Sequence, residues 1–558
     1  MKSLLNKIKQ RHSYIEPTTT INSSETTHWD QSVDVVVVGF GGAGAAAALE
    51  SHEQGLETLV LDRFEGGGAT TISGGVYYAG GGTATQLEAG VTDTPDNMFN
   101  YLKQEVQGAV SDKTLQKFCA DSVDNYDWMV SHGVPFEASV CPFKTSYPPN
   151  HLFFYYSGNE SFPPYSDHAT PAIRGHRAKK KGISGMAIYQ PLKQSAANKG
   201  IPVQKHCKVV GLITNEKNAV VGVKALTLNP KSFSGRLHQG LGKLQTLLRY
   251  MALFVPVLFP ILATLAEKLE RNFGKLELIQ AKKGVVLATG GFYSNQSMIT
   301  QHAPSFVGGS PLGTMTDDGC GIQMAQQLGA KTDLLDSVSA WRFFNPPFSF
   351  VKGVLVGPSG TRICNEMLYG AQIGEQMMRH HDGKGWLILD EEKYKAAGKD
   401  LTLKKGLWFH LLLGVFYMKL GVKTASSVEQ LASKLNIEPE ALKETIHQYN
   451  QIANSDEKDP LGKPKLNVEP IQGKKYYAID TSYDYFYVPC PSLTLGGLKV
   501  NEESGLVLHE EGQEIAGLYA AGRTAVGIPS KGYVSGLSIA DCIFSGRRAA
   551  KHAASITE

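Results

Sequence analysis

The sequence predicts an α/β fold in which a parallel sheet forms one discontinuous domain and a second, α+β domain is inserted into it. The run Val33–Val38 is rich in β-branched residues, as is typical of a parallel strand buried on both faces, and a glycine-rich turn follows it. Strands followed by glycine turns return at 284–291 and 515–522. Glycine accounts for 59 of the 558 residues, about 11% against a usual share of about 7%. Gly-rich turns joined to buried strands are therefore the main feature to explain.

Composition and charge exclude several classes of protein. Hydrophobic residues make up 42% and charged residues 19% of the chain, so a disordered protein is excluded. The 55 basic and 52 acidic side chains leave a net charge of +3, which is too balanced for a protein whose main partner is nucleic acid. The seven cysteines form no C-x-x-C pair, which argues against a disulfide framework and a zinc site and favours a reducing compartment. No metal site is predicted.

Residues 1–30 are predicted to be a mobile basic leader. Basic side chains flank only Leu4, Leu5 and Ile8 before polar sequence resumes, so the apolar core of about 7 to 15 residues in a secretory signal is missing. A disordered tail and a basic amphipathic helix on a membrane surface are the two alternatives. We expect the protein to stay in the cytoplasm.

The turn after the first strand carries the pattern G-x-G-x-x-G. Gly39 makes the tight turn, Gly41 lets the backbone approach a pyrophosphate, and Gly44 lets the helix pack closely on the strand. The helix N-terminus then receives the phosphates. Asp62 ends the second strand 18 residues after Gly44, where it is placed to accept hydrogen bonds from a ribose diol. The residues predicted to bind a dinucleotide here are Gly39, Gly41, Gly42, Ala43, Gly44 and Asp62.

Three further glycine-rich segments are predicted to reach the same site. A loop rich in glycine and hydroxyl groups follows the second strand, where a nicotinamide enzyme would return to ordinary βα alternation. Such a loop can lie along an extended dinucleotide toward its ring. The loop contributes Arg63, Ala69, Thr70, Ser73, Gly74 and Gly75, and the two later returns contribute Ala288, Thr289, Gly290, Ala521, Gly522 and Arg523.

These segments together resemble the two-domain flavoproteins of the fumarate reductase and 3-ketosteroid dehydrogenase superfamily, from Asp34 onward. The resemblance implies a discontinuous Rossmann-type FAD-binding domain with an inserted α+β substrate domain. The succinate dehydrogenase branch attaches FAD through a histidine in this loop. No histidine occurs between His52 and His132, so noncovalent FAD is expected.

The expected domain order follows from that resemblance. A leader at 1–30 precedes the first part of the FAD-binding domain at 31–230, and a basic and apolar insertion follows at 231–283. A return strand occupies 284–292, the substrate domain 293–485 with a second apolar segment at 401–423, and the last part of the FAD-binding domain 486–558.

Motifs in the substrate domain also resemble the superfamily. Gly319 ends a segment similar to its phosphate- and flavin-edge loop. Arg362 and Glu366 are expected to form a structural ion pair, with substrate contact as the alternative. Arg342 stands among aromatic residues, which suit an apolar ligand better than the two carboxylates that C4-dicarboxylate reductases bind.

The segment Gly532-Tyr533-Val534-Ser535-Gly536 resembles the 3-ketosteroid Δ4-dehydrogenase branch, whose active site uses the Tyr and Ser of that motif. The Tyr-Pro-Gly-Ala-Gly pattern of the Δ1 branch is absent. Tyr533 and Ser535 are therefore the predicted catalytic residues, and the helix start Gly536, Leu537 and Ser538 is predicted to contact the flavin. A further tyrosine of the Δ4 branch has no match, and we expect its place near Phe343-Phe344.

Two short apolar segments are flanked by cations. The stretch 231–283 has nine basic and three acidic residues around sixteen uncharged ones at Met251–Ala266, and 401–423 has four lysines around thirteen uncharged residues at Gly406–Met418. Both fall short of the about 20 residues that span a bilayer. They are expected to enter one leaflet at the inner face of the cell membrane, and buried core helices are the alternative.

The expected activity is flavin-dependent oxidation of a ring C–C bond next to the 3-keto group, most simply C4–C5, of a steroid or similar apolar ketone. Tyr533 is the base, with Ser535 relaying a proton or orienting it. An external electron acceptor is required, and a quinone-like molecule is one candidate. A Δ1-ketosteroid dehydrogenase, a fumarate- or urocanate-type reductase and a non-catalytic flavin-binding membrane anchor stay open as alternatives.

Overall fold

The computed structural model describes residues 13–21, 27–255, 258–402, 407–488 and 490–556. In chain order its strands are β1 (Thr19–Ile21), β2 (Gln31–Val38), β3 (Thr58–Asp62), β4 (Val76–Tyr78), β5 (Phe154–Tyr155), β6 (Gly175–Arg177), β7 (Val203–Lys205), β8 (Cys207–Asn215), β9 (Val220–Thr227), β10 (Lys275–Leu287), β11 (Ser310–Pro311), β12 (Thr332–Asp333), β13 (Val338–Ala340), β14 (Val354–Val356), β15 (Trp386–Asp390), β16 (Val422–Ala425), β17 (Tyr476–Asp480), β18 (Pro491–Thr494), β19 (Gly497–Leu498), β20 (Leu506–Leu508) and β21 (Glu514–Ala520).

The helices are α1 (Gly42–Glu53), α2 (Gly68–Ile72), α3 (Ala84–Glu88), α4 (Pro95–Val106), α5 (Asp112–Ala120), α6 (Ser122–Ser131), α7 (Tyr165–His168), α8 (Gly185–Asn198), α9 (Phe233–Phe254), α10 (Leu258–Phe273), α11 (Gln296–His302), α12 (Cys320–Gln326), α13 (Gly370–His380), α14 (Glu391–Asp400), α15 (Trp408–Leu420), α16 (Val428–Leu435), α17 (Pro439–Ala453) and α18 (Leu537–Ser555). Short 3-10 turns lie at Pro304–Phe306, Phe348–Lys352, Lys465–Asn467 and Gly522–Thr524.

A nine-stranded sheet in the order β1-β8-β9-β10-β2-β3-β7, with β21 on β10 and β20 on β21, forms the first domain. Strand β2 pairs in parallel with β3 and β10. Val35 and Val37 face one apolar cluster, whereas Val36 and Val38 face another. Alternate side chains of this strand therefore enter two cores, which explains its run of β-branched residues.

Helix α1 packs against α18, and both rest on the sheet next to β2. A Cβ added to Gly546 of α18 would lie 2.5 Å from the carbonyl oxygen of Ala43 in α1. The small residues of both helices permit this approach, which brings the C-terminal segment to the first glycine turn.

The segment predicted to be a mobile leader is in part docked on the domain. Strand β1 pairs in parallel with β8, Ser13 Oγ donates to the carbonyl of Asp318, and Lys224 Nζ donates to the carbonyl of Pro17 at 2.6 Å. Residues 13–21 are therefore docked on the sheet, whereas the sequence predicted a mobile segment. Residues 1–12 and 22–26 of that leader lie outside the described residues.

The predicted insertion at 231–283 ends earlier than expected. Helices α9 and α10 form it, and β10 begins at Lys275 as one strand of 13 residues. Its first half pairs antiparallel with β9 and its second half parallel with β2 and β21. The charged residues that made 275–283 look like part of the insertion alternate with Leu276 and Leu278 along an antiparallel strand.

The second domain is built on the antiparallel sheet β14-β15-β17-β16, with α16 and α17 packed on one side. This sheet lies within the predicted substrate domain 293–485. The strands β11 and β13 pair with β18, which belongs to the following segment. That pairing links the second domain to the C-terminal part of the first.

Candidate active site

A cavity of about 440 Å³ is lined both by the glycine turn after β2 and by Tyr533 and Ser535. All but three of the residues predicted to bind the cofactor line it. The exceptions are Gly44, Gly319 and Leu537, which the structure places behind the wall. A Cβ on Gly44 would lie 1.8 Å from the carbonyl oxygen of Gly39, one on Gly319 would lie 2.5 Å from Met298 Sδ, and Leu537 is a buried core residue. These three predicted residues are therefore not part of the cavity wall.

The turn itself has the geometry that the G-x-G-x-x-G pattern predicts. Gly39 has φ of +98°, and a Cβ there would lie 2.5 Å from the carbonyl oxygen of Ala288. A Cβ on Gly41 would instead meet its nearest protein atom at 3.9 Å. Gly41 therefore borders open space beside the N-terminus of α1, where a phosphate group fits.

Asp62 organises the loop that follows β3. Its carboxylate accepts the backbone N–H groups of Phe40, Phe64 and Gly66 at 2.8 to 3.0 Å. Because a carboxylate has about four acceptor positions, one remains for a ribose hydroxyl. The Asp62 carboxylate thus fixes the backbone of this loop and also lines the cavity.

Arg63 is anchored more firmly than the sequence indicated. Its guanidinium donates to Glu270 of α10 at 2.7 and 3.0 Å and to Asp318 at 3.2 Å. Burial opposes ionisation of Glu270, but Arg63, His238 and Lys208 hold the pKa of its carboxyl well below the usual value. Arg63 lines the cavity and at the same time ties α9 and α10 to the FAD-binding domain.

Arg523 presents an unpaired donor beside the cavity. Its Nη2 donates to both oxygens of Asp317 at 3.0 and 2.8 Å. Its Nη1 is buried and has no hydrogen-bond partner among the residues that the structure describes. Since a buried donor is costly to leave unpaired, this atom fits a ligand acceptor such as a flavin oxygen or nitrogen.

The loop that carries Tyr533 and Ser535 is held in place by contacts with Glu105 and Ser157. A Cβ on Gly532 would lie 1.6 Å from the carbonyl oxygen of Glu105, so only glycine fits there. Ser157 Oγ donates to the carbonyl of Ser535 at 3.0 Å, and the N–H of Ser535 donates to the carbonyl of Ser157 at 3.3 Å. The loop therefore presents both side chains to the cavity in a defined position.

Four hydroxyl groups gather at this end of the cavity. Tyr155 donates to Ser535 Oγ at 3.4 Å, and the rings of Tyr369 and Tyr533 lie 6.4 Å apart. Burial raises the pKa of Tyr369 and that of Tyr533 well above the ordinary value, although the charge of Arg523 lowers that of Tyr533 in part. Both tyrosines therefore keep their protons at neutral pH.

Sequence reasoning expected a further tyrosine near Phe343-Phe344 and did not name Tyr369. Tyr369 lies in the loop before α13, lines the cavity and packs against Phe343, with ring centroids 5.9 Å apart. Its backbone N–H donates to Asn159 Oδ1 at 2.7 Å, and Asn159 donates in turn to Glu105 at 2.8 Å. The available signal was its place three residues after Glu366 in the family-like Asn-Glu motif.

One end of the cavity is apolar. The ring centroids of Trp341 and Tyr533 lie 5.3 Å apart there with the rings tilted, and Phe343, Phe409, Leu412 and Leu413 also line the cavity. Arg342 is 1% exposed and donates to Tyr417 Oη at 3.0 Å and to main-chain carbonyls of Ser482 and Val488. Both Nη atoms are therefore bound by the protein, whereas the buried Nε has no hydrogen-bond partner among the described residues.

Arg362 and Glu366 form the structural ion pair that we expected. Two hydrogen bonds of 2.9 and 2.8 Å join them, and Lys463 lies 3.0 Å from the same carboxylate. Burial opposes ionisation of Glu366, but the two cations lower the pKa of its carboxyl to about 2. Neither Arg362 nor Glu366 lines the cavity.

The FAD binding domain family matches residues 34–536 of the chain. The chain belongs to this flavoprotein family. The 3-oxo-5-alpha-steroid 4-dehydrogenase of Comamonas testosteroni is 35% identical to it over 528 residues, which cover 93% of this chain and 98% of that protein.

The chain is also similar to a solved structure, that of the 3-ketosteroid-Δ4-(5α)-dehydrogenase from Rhodococcus jostii RHA1 in complex with 4-androstene-3,17-dione. It shares 31% identity and a TM-score of 0.79 and covers 97% of this chain and 100% of that one. A 3-oxosteroid 1-dehydrogenase of Mycolicibacterium smegmatis is more distant, at 25% identity over 89% of this chain and 92% of that protein.

The residues present fit the family's cofactor. The open space at Gly41, the N-terminus of α1 and the unpaired Nη1 of Arg523 suit phosphates at one end and a ring acceptor at the other. The glycine turn, the loop of Thr70 and Ser73, and the later returns would hold FAD along one wall. Tyr533, Ser535 and Tyr369 line the same cavity.

Proposed function

We propose that the protein is an FAD-dependent 3-ketosteroid dehydrogenase that oxidises the C4–C5 bond of a saturated 3-ketosteroid. The observation that carries the proposal is one cavity that joins the dinucleotide cradle to the cluster of Tyr533, Ser535 and Tyr369. The relatives at 35% and 31% identity act at the same bond according to their names, and the relative that acts at C1 is more distant.

Tyr533 is proposed as the base that takes the C4 proton. The tyrosinate form of Tyr533 takes the C4 proton and becomes the phenol. Burial raises the pKa of Tyr533 and disfavours that form, whereas the charge of Arg523 lowers the pKa in part and favours it. Ser535, which accepts a hydrogen bond from Tyr155 at 3.4 Å, is proposed to orient Tyr533. Tyr369 is placed to donate a hydrogen bond to the oxygen of the developing enolate.

When bound, FAD supplies the acceptor that takes the C5 hydrogen as hydride. The apolar walls of Trp341 and Phe343 exclude water and orient the flat ligand. Regeneration of the oxidised cofactor is assigned to an external electron acceptor of quinone-like chemistry.

A panel of ketones distinguishes this proposal from its alternatives by flavin bleaching under anaerobic conditions. We expect 5α-androstane-3,17-dione to reduce the flavin, and 4-androstene-3,17-dione to leave it oxidised because its C4–C5 bond is already unsaturated. A Δ1-dehydrogenase would be reduced by both compounds. Reoxidation of the reduced enzyme by fumarate would instead support a fumarate-type reductase.

We further propose that α9, α10 and α15 touch an anionic lipid surface at the inner face of the membrane. The outer face of α9 exposes Leu237, Leu244, Leu247 and Met251, and Leu247 is 76% exposed. The same two helices carry the exposed cations Arg236 and Lys243 on α9 and Lys268 on α10. Residues 256–257 and 403–406 of the two predicted apolar segments lie outside the described residues. None of the described helices is long and apolar enough to cross a bilayer.

The opposite face of the same insertion is buried in an apolar core, which is the arrangement that the alternative of buried core helices predicts. Phe259 and Leu262 are buried against Phe64. Trp408 and Leu412 of α15 line the cavity and are also exposed to solvent. Helix α15 therefore forms part of the cavity entrance. An apolar ketone could then pass from lipid into the cavity without crossing water.

Changing Leu244, Leu247 and Met251 together to serine tests the membrane contact. We expect co-sedimentation with phosphatidylglycerol vesicles to fall by about tenfold or more, because each side chain loses its apolar surface. FAD content is expected to stay constant. The matched control replaces Leu87, Leu466 and Phe486, which are exposed elsewhere, by serine. Equal losses in both variants, or no loss in the first, would refute the contact.

A further inference from the structure

One polar side chain at the apolar end of the cavity has no role in the proposed chemistry. His410 lies in the first turn of α15, is 7% exposed and lines the cavity. Its ring centroid lies 4.0 Å from that of Phe409 and 6.5 Å from that of Tyr147. The imidazole therefore lies among aromatic rings, where burying a polar group costs free energy unless it forms hydrogen bonds.

The hydrogen bonds of the ring define its tautomer. His410 Nδ1 accepts the backbone N–H of Leu407 at 3.2 Å, which caps the start of α15. Burial, aided by the charge of Arg177, lowers the pKa of His410 to about 3, so the imidazole is neutral at physiological pH. A neutral ring whose Nδ1 accepts carries its hydrogen on Nε2.

Nε2 is the ring nitrogen that remains for the cavity. It has no hydrogen-bond partner within the described part of the chain. Nε2 is not fully enclosed by protein atoms. Because His410 lines the cavity, Nε2 is the ring nitrogen that can bind a group inside it. His410 Nε2–H is thus an uncharged donor of α15 at the cavity, on the same helix as Trp408 and Tyr417, which also line it.

We infer that His410 Nε2–H binds a second oxygen of the substrate, a carbonyl or hydroxyl remote from the 3-keto group. The inference rests on the proposed function, which places the 3-keto group among Tyr533, Tyr369 and Ser535. A neutral donor stabilises a ketone or alcohol oxygen but gives little compensation to a carboxylate brought into an apolar cavity. His410 then selects ketosteroids that carry oxygen at the distal ring.

The test compares 5α-androstane-3,17-dione with 5α-androstan-3-one, which lacks the second oxygen. For the native enzyme we expect kcat/KM for flavin reduction to favour the dione by about tenfold or more, since the 3-one leaves the donor unpaired. His410→Phe is expected to bring this preference close to one, mainly by slowing the dione. His410→Gln retains a side-chain donor and is expected to keep part of the preference.

Phe409→Leu is the matched control, because it alters packing on the same turn without removing a hydrogen bond. It should change the two rates by the same factor. An equal loss for both ketones in His410→Phe would show a structural role only, and equal rates for the two ketones in the native enzyme would overturn the inference without any variant. If neither ketone reduces the flavin, the proposed function fails, and the two affinities, measured from the perturbed flavin spectrum, still decide whether His410 reads the second oxygen.

Discussion

Tyr533→Phe is expected to slow flavin reduction by a saturated 3-ketosteroid by about 10²-fold or more, the usual scale for loss of a general acid–base group. The substitution removes one hydroxyl and keeps the ring that stacks near Trp341 and Tyr369. Cofactor content and packing should therefore survive. Rapid-mixing absorbance of the oxidised flavin measures the effect, with FAD occupancy determined in the same sample.

Ser535→Ala serves as the comparison. It should cost less than Tyr533→Phe if Ser535 only passes on or orients a proton. A native rate in Tyr533→Phe at full FAD occupancy would remove Tyr533 from the chemistry. Tyr369, the neighbouring hydroxyl on the second domain, would then be the first residue to substitute.

Gly41→Val is expected to abolish FAD binding while the chain still folds. The first carbon of the new side chain would meet its nearest protein atom only at 3.9 Å, so the added volume enters ligand space rather than the core. A branched side chain there occupies the approach of the pyrophosphate. The purified variant should be colourless and should unfold at a lower temperature than the yellow native protein, because the stabilisation by bound ligand is lost.

Gly240→Val provides the matched control, since Gly240 has no atom within 4 Å of an added Cβ and lies outside the cavity wall. It should keep its FAD. Acid precipitation of the native protein should release the flavin into the supernatant, and flavin that stayed with the precipitate would contradict noncovalent binding. A yellow Gly41→Val protein with native flavin content would show that the pyrophosphate lies elsewhere.

The contacts of Arg63 join the helical insertion to the FAD-binding domain. The sequence presents α9 and α10 as an addition to the FAD-binding domain, whereas the Arg63–Glu270 and His238–Glu270 contacts make it part of the wall beside Asp62. One face of the insertion is core and the other exposes apolar residues. The expectation of core helices therefore describes one face, and membrane contact of the other face stays a prediction.

The sequence alone predicted the glycine turn, its returns at 288–290 and 521–523, and the loop of Tyr533 and Ser535, which all line the cavity. These features are local, because a tight turn and a close backbone approach each need particular residues at fixed spacing. The same reasoning predicted the Arg362–Glu366 pair, whose members are four residues apart in sequence.

Only the tertiary structure decided which distant residues complete the site. Tyr369 meets Tyr533 across 164 positions of sequence because the second domain folds back onto the first. His410 of α15 lines the same cavity as the glycine turn after β2 and the loop of Tyr533. Strand β10 joins two pairing patterns in one element, and part of the leader adds a strand to the sheet. Such outcomes depend on side chains and backbone groups that meet only after long-range packing, which no local pattern of residues encodes.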